Sequence, residues 1–150
     1  MIITFIGHRN LKKTKELLGL IEKSIVDNID NSGKNIIYCG EYGDFDEMCR
    51  EISQKIKRSF ENIEIVFISP YFTLSQQIKI REFVESGVYD SAMYPELENV
   101  PLKFAINYRN QWMIERADLI IAYVDREYGG AYNSLRFAER KGKRIINLAE

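Results

Sequence analysis

The sequence predicts a three-layer α/β/α domain, in which a mainly parallel five-stranded sheet lies between two layers of helices. Short apolar runs alternate along the chain with longer segments of helical periodicity. The short runs are apolar at successive positions, which is typical of strands buried on both faces. Strands that are joined through helices form right-handed crossovers, and such crossovers make the strands parallel.

The first half of the chain contains two strand–helix units. Residues 2–6 and 36–39 form the first two predicted strands. The helix between them ends at the turn-forming segment 30–33 and buries one face: Leu17, Ile21, Ile25 and Ile29. Asp44, with Glu47 three residues later, is typical of a capping box and predicts the start of the second helix. The buried stripe of that helix is expected at Met48, Ile52, Ile56 and Phe60.

The middle of the chain holds a third strand–helix unit and an irregular segment. The strand covers residues 65–68, and the sequence Ser69-Pro70 ends it. The helix covers residues 73–85 and has three apolar residues near one face: Leu74, Ile78 and Phe83. Residues 86–104 contain glycine and two prolines, so we expect a loop or a short irregular insert there.

Regular alternation resumes in the last third. A helix is predicted over residues 105–116 and a fourth strand over residues 119–124. Gly129 and Gly130 open the last helix, and residues 144–148 form the fifth strand. Five such strands predict a Rossmann-like sheet of order 3-2-1-4-5. The chain shows no internal repeat and no linker, so we expect one domain over residues 1–150.

Composition narrows the class of function. A formal net charge of −1 argues against a protein that mainly grips a phosphate backbone, so nucleic acid is not the expected partner. Cys39 and Cys49 are expected in the core without a disulfide, and one histidine leaves little for a metal site. No apolar run reaches the length of a signal peptide or a membrane span. We therefore expect a cytoplasmic protein without metal, cofactor or membrane contact.

Three glycine-bearing turns follow strands one, two and four. The carboxyl ends of parallel strands share one edge of the sheet, so these turns predict one ligand pocket. Glycine lets the backbone approach a ligand, and the helix start at Gly129 and Gly130 favours phosphate. The alternative is that these glycines only make tight turns. The candidate binding residues at these turns are Gly7, His8, Arg9, Gly40, Glu41, Gly43, Asp44, Asp46, Gly129, Gly130 and Ala131.

Arg109 is the arginine that we expect to bind phosphate. It shares a helix stripe with Trp112 and Arg116, and it lies near the amino end of that helix. A cation there is unfavourable for the helix dipole unless an anion is close. Asp44 is expected to cap its helix. One of Asp44 and Asp46 is expected to contact ribose hydroxyls, and Glu41 is a weaker candidate for the same role.

Six short motifs, in order along the chain, resemble the YpsA-like branch of the SLOG superfamily. These motifs are Gly7-His8-Arg9, Gly43-Asp44-Phe45-Asp46, Tyr94-Pro95, Arg109-Asn110-Gln111-Trp112-Met113, Ala117-Asp118 and Gly129-Gly130-Ala131. The resemblance implies a Rossmann-like fold and nucleotide-derived ligands, and it adds Asn110 and Met113 to the binding residues. The superfamily includes DprA-type binders of single-stranded DNA, sensors of NAD-derived signals, and LOG enzymes that cleave N-glycosidic bonds. Its members often form dimers or larger assemblies.

The LOG resemblance implies binding rather than catalysis. Arg109, Met113 and the glycine pair match the LOG pattern, but Tyr128 replaces a proline and Arg136 stands where that family has its glutamate. We therefore expect a module that senses or sequesters a small nucleotide-derived ligand, such as an ADP-ribose-derived or cyclic nucleotide signal. One alternative is a nucleoside-monophosphate N-glycosidase that uses Asp44, Asp46 or Glu41 instead. Another is a protein-interaction domain with a surface around Tyr89 and Tyr94.

Overall fold

Six parallel strands form one sheet in the computed structural model, which describes residues 1–150. The strands are β1 (Ile2–Gly7), β2 (Asn35–Cys39), β3 (Ile63–Ile68), β4 (Ser91–Met93), β5 (Leu119–Tyr123) and β6 (Arg144–Asn147). The helices are α1 (Lys15–Val26), α2 (Asp44–Lys57), α3 (Leu74–Glu85), α4 (Ala105–Arg116) and α5 (Gly130–Arg140), with a short 3-10 helix at Leu102–Phe104. The strand order is β4-β3-β2-β1-β5-β6. The predicted α/β class and the relative order of the five expected strands are therefore confirmed.

The prediction of five strands was wrong by one. Strand β4 lies in the segment that was expected to be irregular, and it pairs with β3 at the edge of the sheet. It has three residues, and none of them is an isoleucine, valine or aromatic residue. Its position is set by pairing with β3 and by Asp90, whose Oδ2 accepts a hydrogen bond from the backbone N of Ile65 at 2.8 Å. Such a strand has no signature in a periodicity analysis.

The two faces of the sheet bury separate cores. Alternate residues of β1 point to opposite faces, so Ile3 and Phe5 pack against α1 and α2, whereas Ile6 packs against α4 and α5. Cys39 and Cys49 are buried on the α2 side and form no disulfide, as the sequence predicts. None of the helices has both the length and the apolar character that a membrane span requires.

The amino end of α2 differs from the predicted capping box. Gly43 is the N-cap residue, and no side chain caps this helix end. The carboxylate of Asp44 instead accepts a hydrogen bond from the backbone N of Leu11 at 2.8 Å. The reason is the close approach of two loops, since a Cβ on Gly43 would lie 2.6 Å from the Cα of Arg9. Asp44 therefore fixes the loop after β1 rather than the start of its own helix.

Helix α3 is also more exposed than its sequence predicts. It has no buried residue, and 73% of Leu74 and 48% of Ile78 remain exposed. Phe83 alone of the three expected apolar residues packs on the core, edge-on to Phe67 at 5.8 Å between ring centroids. Thr73 is the N-cap residue and accepts a hydrogen bond from the backbone N of Gln76.

Candidate functional site

A cavity of about 420 Å³ opens where β1 and β5 end and the strand order reverses. This volume is typical of small-ligand pockets. Nine of the predicted binding residues line it: Gly7, His8, Arg9, Asp46, Asn110, Met113, Gly129, Gly130 and Ala131. Five do not: Gly40, Glu41, Gly43, Asp44 and Arg109. Whether a ligand contacts the nine stays a prediction.

The loop after β1 is held in place by the helix on the other face. Gly7 has no room for a side chain, because a Cβ there would lie 2.1 Å from the ring of Phe45. The backbone N of Asp44 donates a hydrogen bond to the carbonyl of Arg9 at 2.8 Å. His8 is 6% exposed, and its Nε2 lies 2.9 Å from Oδ1 of Asp125. These contacts hold the loop at the edge of the cavity.

Two arginine–tyrosine pairs flank the cavity. The guanidinium of Arg9 lies over the ring of Tyr42, 4.9 Å from its centroid, and that of Arg126 lies over Tyr128 at 5.6 Å. Both rings are exposed, Tyr128 by 68%. A cation over one face of a tyrosine is attracted to the ring quadrupole. Each pair thus places a positive charge beside an exposed aromatic ring.

The amino end of α5 lines one side of the cavity. Gly129 is the N-cap residue with φ of +92°, no side chain caps the helix, and its first turn has no acidic residue. The backbone N–H groups of the first turn therefore have no partner within the helix. Gly130, Ala131 and Ser134 line the cavity at this point. Free amides and the positive end of the helix dipole favour an anion here.

Arg109 does not lie at the cavity surface. It is 1% exposed, and its Nη1 donates to the carbonyls of Gly40 at 2.8 Å and Ile68 at 2.7 Å. Its Nε donates to Oδ1 of Asn110 at 2.9 Å, which leaves the amide nitrogen of Asn110 as the group free to face the cavity. Burial lowers the pKa of the Arg109 guanidinium, and the carboxylate of Asp46 opposes that effect. Arg109 joins the ends of β2 and β3 to α4.

Asp46 and Glu41, two of the acids that were candidates for a ribose contact, lie in different surroundings. Asp46 is partly buried at the cavity wall, and its Oδ2 accepts a hydrogen bond from the backbone N of Tyr42 at 3.0 Å. Burial raises the pKa of Asp46 to about 6, although Arg109 opposes the shift. Glu41 has a left-handed backbone with φ of +50° and turns away from the cavity. It accepts hydrogen bonds from Arg50 and from the hydroxyl of Tyr89.

Tyr89 does not form part of the partner surface that the sequence suggested. Only 2% of the residue is exposed, and its ring stacks on Phe67 at 5.4 Å between centroids. Tyr94 is partly buried and stacks on Phe72 at 5.2 Å. The proposed surface around Tyr89 is therefore wrong, because burial of its ring and its bond to Glu41 use the residue inside the fold.

Sequence reasoning missed several cavity residues. Tyr42, Lys103, Asn107, Arg126 and Tyr128 line the cavity but were not among the predicted binding residues. Tyr42 and Tyr128 stand directly before glycines of the predicted turns, so basic and aromatic residues next to those glycines were an available signal. Lys103 lies in the segment that was expected to be irregular, where no pattern places a side chain. No group of three or more histidine, cysteine, aspartate or glutamate side chains is arranged to hold a metal ion.

The sheet and the cavity at its switch point define a Rossmann-like α/β protein with a cavity at the carboxyl edge of its strands. An X-ray structure of DNA processing protein A (DprA) from Streptococcus pneumoniae superposes with a TM-score of 0.62 at 14% identity, covering 95% of this chain and 48% of that one. DprA from Helicobacter pylori, described for its unique single-stranded DNA binding mode, gives 0.59 and 16%, covering 100% of this chain and 67% of that one. The chain spans about half the length of the first of these neighbours.

These likenesses show that the chain has the Rossmann-like fold of these DprA structures. No protein-family profile matches the sequence. No curated protein sequence matches it either. At 14% and 16% identity the likenesses show the fold alone, so membership of the SLOG superfamily and of its YpsA-like branch stays a prediction.

The comparison corrects two expectations. A site for a small nucleotide-derived signal was expected, and nucleic acid was considered an improbable partner because the net charge is −1. Both expectations are overturned by neighbours that are DNA-processing proteins, one of them described by its binding of single-stranded DNA. The physical error was to use the charge of the whole chain, since phosphate contacts depend on the charge around the site.

Proposed function

We propose that the cavity and its rim bind single-stranded nucleic acid. The observation that carries the proposal is the pair of exposed tyrosines, Tyr42 and Tyr128, because each has an arginine over one face of its ring. The amino end of α5, which no side chain caps, lines the same cavity. Sites for single strands combine aromatic platforms for unpaired bases with positive charge for the backbone. The single-stranded DNA binding of a structural neighbour supports the same assignment.

The rim offers separate places for phosphates and for bases. Arg9, Lys103 and Arg126 line the cavity together with the amino end of α5, so phosphate groups meet cations and free amides there. Bases stack on the exposed rings of Tyr42 and Tyr128. A base pair inside a duplex does not expose its faces, so the platforms select unpaired strands.

The stacking contribution can be measured with matched tyrosine variants. Loss of an aromatic platform removes about 1–3 kcal/mol per stacked base, so Tyr128→Ala is expected to weaken binding about 5- to 150-fold. Tyr108→Ala is the control, because this exposed tyrosine of α4 does not line the cavity. The measurement is fluorescence anisotropy with a labelled single-stranded oligonucleotide of mixed sequence.

The charge contribution has a matched pair of arginines. Arg126 lines the cavity, whereas Arg140 lies in the last turn of α5 at the opposite end of the helix. Arg126→Ala is expected to weaken binding and to reduce its salt dependence by about one released ion, while Arg140→Ala leaves both unchanged. The proposal would be overturned if Arg126→Ala and Arg140→Ala lost equal affinity for the single strand. It would also be overturned if the unaltered protein bound the matching duplex, or a free mononucleotide, as tightly as the single strand.

Two narrower assignments belong to the same proposal. The order of the motifs from Gly7 to Ala131 supports membership of the YpsA-like branch. The single sheet that both cores share supports one binding domain over residues 1–150. A limited proteolysis experiment that leaves the chain intact supports the second assignment, and a stable fragment would refute it.

A further inference from the structure

A stacked pair of aromatic rings lies at the carboxyl edge of the sheet, outside the cavity. Phe72 lies between β3 and α3, and Tyr94 directly follows β4. The two rings are 5.2 Å apart between centroids and 10° apart in plane, yet 57% of Phe72 remains exposed. At the opposite edge, the loops that join each helix to the next strand have no exposed aromatic residue. The stack therefore belongs to the edge of the sheet that carries the cavity.

Hydrogen bonds hold the loop of Phe72 beside the end of β4. The backbone N of Ser69 donates to the carbonyl of Met93 at 2.8 Å, which joins the loop to β4. Oγ of Ser69 donates to the carbonyl of Tyr71 at 2.7 Å, and Nε2 of Gln77 donates to the carbonyl of Phe72 at 3.0 Å. Since these bonds use only the backbone of Phe72, they leave its ring to Tyr94 and to solvent.

The loop of Phe72 and the loop of Tyr42 meet at Arg109. Pairing of β3 with β2 and with β4 extends to the last residue of both neighbours. Nη1 of Arg109 donates to the carbonyls of Gly40 and Ile68, so one nitrogen joins the ends of β2 and β3. Burial lowers the pKa of the Arg109 guanidinium, and the hydroxyl groups of Tyr71 and Tyr42 are among those that oppose this shift. Both tyrosines therefore lie within electrostatic reach of Arg109, and Tyr42 also lines the cavity.

The charges around the stack favour a phosphate on the side of α3. The first turn of α3 has no acidic residue, and the side chain of Thr73 accepts only the backbone N–H of Gln76. The other N–H groups of that turn have no partner within the helix, and the positive end of the helix dipole lies there. Glu96 and Glu98, in the exposed part of the loop after β4, repel a phosphate on the other side.

We propose that a single strand held in the cavity continues across the ends of β2, β3 and β4 and stacks a further base on Phe72. This inference rests on the proposed function and adds the direction of the strand and a second stacking site. Paired strands lie about 4.8 Å apart, so the path from β2 to β4 measures about 10 Å. Stacked nucleotides rise about 3.4 Å each, so about three nucleotides beyond the cavity span this path.

The test compares a strand of eight nucleotides with one of three, which fills the cavity and does not extend to Phe72. Phe72→Ala is expected to weaken binding of the longer strand by about 5- to 150-fold and to leave the affinity for the trinucleotide unchanged. Tyr128→Ala is expected to weaken both, because Tyr128 lines the cavity itself. Affinities are measured by displacement of a labelled strand, followed by fluorescence anisotropy.

Three further variants separate stacking from apolar contact and from the fold. Phe72→Trp keeps an aromatic ring and is expected to bind the longer strand within a few-fold of the unaltered protein. Phe72→Leu keeps an apolar side chain without a ring and is expected to behave like Phe72→Ala, which covers the case in which Phe72→Ala does not fold. Ile78→Ala, at an exposed position of α3, is the matched control and is expected to bind both strands normally. Circular dichroism checks the fold of each variant.

The outcomes for the path and for the proposed function are distinct. The path is overturned if Phe72→Ala and Phe72→Leu bind the longer strand as tightly as the unaltered protein while Tyr128→Ala does not. It is also overturned if Phe72→Ala loses equal affinity for both strands, or if Ile78→Ala loses as much as Phe72→Ala. Failure of the unaltered protein to bind the longer strand overturns the proposed function itself.

Discussion

Replacing Arg109 by alanine tests whether this residue supports the fold rather than a ligand. The change leaves two buried carbonyls, of Gly40 and Ile68, without their hydrogen-bond donor. An unpaired buried acceptor costs about 1–3 kcal/mol, and removal of the side chain adds a packing loss, so we expect a total of about 3–5 kcal/mol. A chain of this length loses about 2–4 °C for each kcal/mol, which predicts a fall in Tm of about 10 °C.

The assay is thermal unfolding followed by circular dichroism, with Arg9→Ala as the matched control. Arg9 is exposed, so its removal is expected to change stability by less than about 0.5 kcal/mol while weakening binding of single strands. Arg109→Gln keeps one amide donor and is expected to melt between the other two, which covers the case in which Arg109→Ala does not fold. An Arg109→Ala protein that melts within 2 °C of the unaltered one, a bound of about 1 kcal/mol, would refute the structural role.

Two further substitutions give predictions for stability. Gly43→Ala is expected to cost about 2 kcal/mol or more, because φ is +99° and the new Cβ meets the Cα of Arg9 at 2.6 Å. Gly19 lies in α1 with open space around it, so Gly19→Ala is expected to raise the free energy of unfolding by about 0.5–1 kcal/mol. Equal chemical-denaturation midpoints for the Gly43 and Gly19 variants would contradict the close approach at Gly43. Because the pKa of Asp46 is about 6 in the fold, above its ordinary value of 3.8, the unaltered protein is expected to lose stability as the pH rises from about 4 to about 6. Asp46→Asn does not titrate, so it is expected to be more stable than the unaltered protein by up to about 3 kcal/mol at pH 8 and equally stable at pH 3. Melting curves at the two pH values check this, and a pH-independent difference would show that Asp46 titrates normally.

The sheet was predictable because its central strands are apolar at successive positions. Buried strands such as β1 and β5 carry this signal in their own residues, and their order follows from the crossover rules. Strand β4 carries no such signal, since its place depends on pairing with β3 and on Asp90. Local sequence predicts elements that are buried by their own side chains, and it misses an edge strand that is held by its neighbour.

The candidate site was predictable in its location but not in the direction of its side chains. Glycine-bearing turns at the ends of parallel strands predicted a pocket at this edge, where the structure has a cavity that Gly7, Gly129 and Gly130 line and that Gly40 and Gly43 do not. The same reasoning assigned Glu41 to a ligand, whereas its left-handed backbone turns the carboxylate towards Arg50 and Tyr89. A side chain in a loop can point to either side of the strand edge, and only the packed structure decides which.

Helix electrostatics predicted negative charge close to Arg109, but the groups that supply it belong to the protein and not to a phosphate ligand. A cation near the amino end of α4 requires compensating negative charge, and this premise was sound. The compensation is internal: two carbonyl oxygens at the ends of β2 and β3 accept its hydrogen bonds, and the carboxylate of Asp46 lies close enough to oppose the lowering of its pKa. The hydrogen bond from Nε of Arg109 to Oδ1 of Asn110 also holds Asn110, which lines the cavity. Under the proposed function, Arg109 therefore acts on a ligand only through Asn110, and the exposed Arg9 and Arg126 are the arginines that a phosphate meets directly.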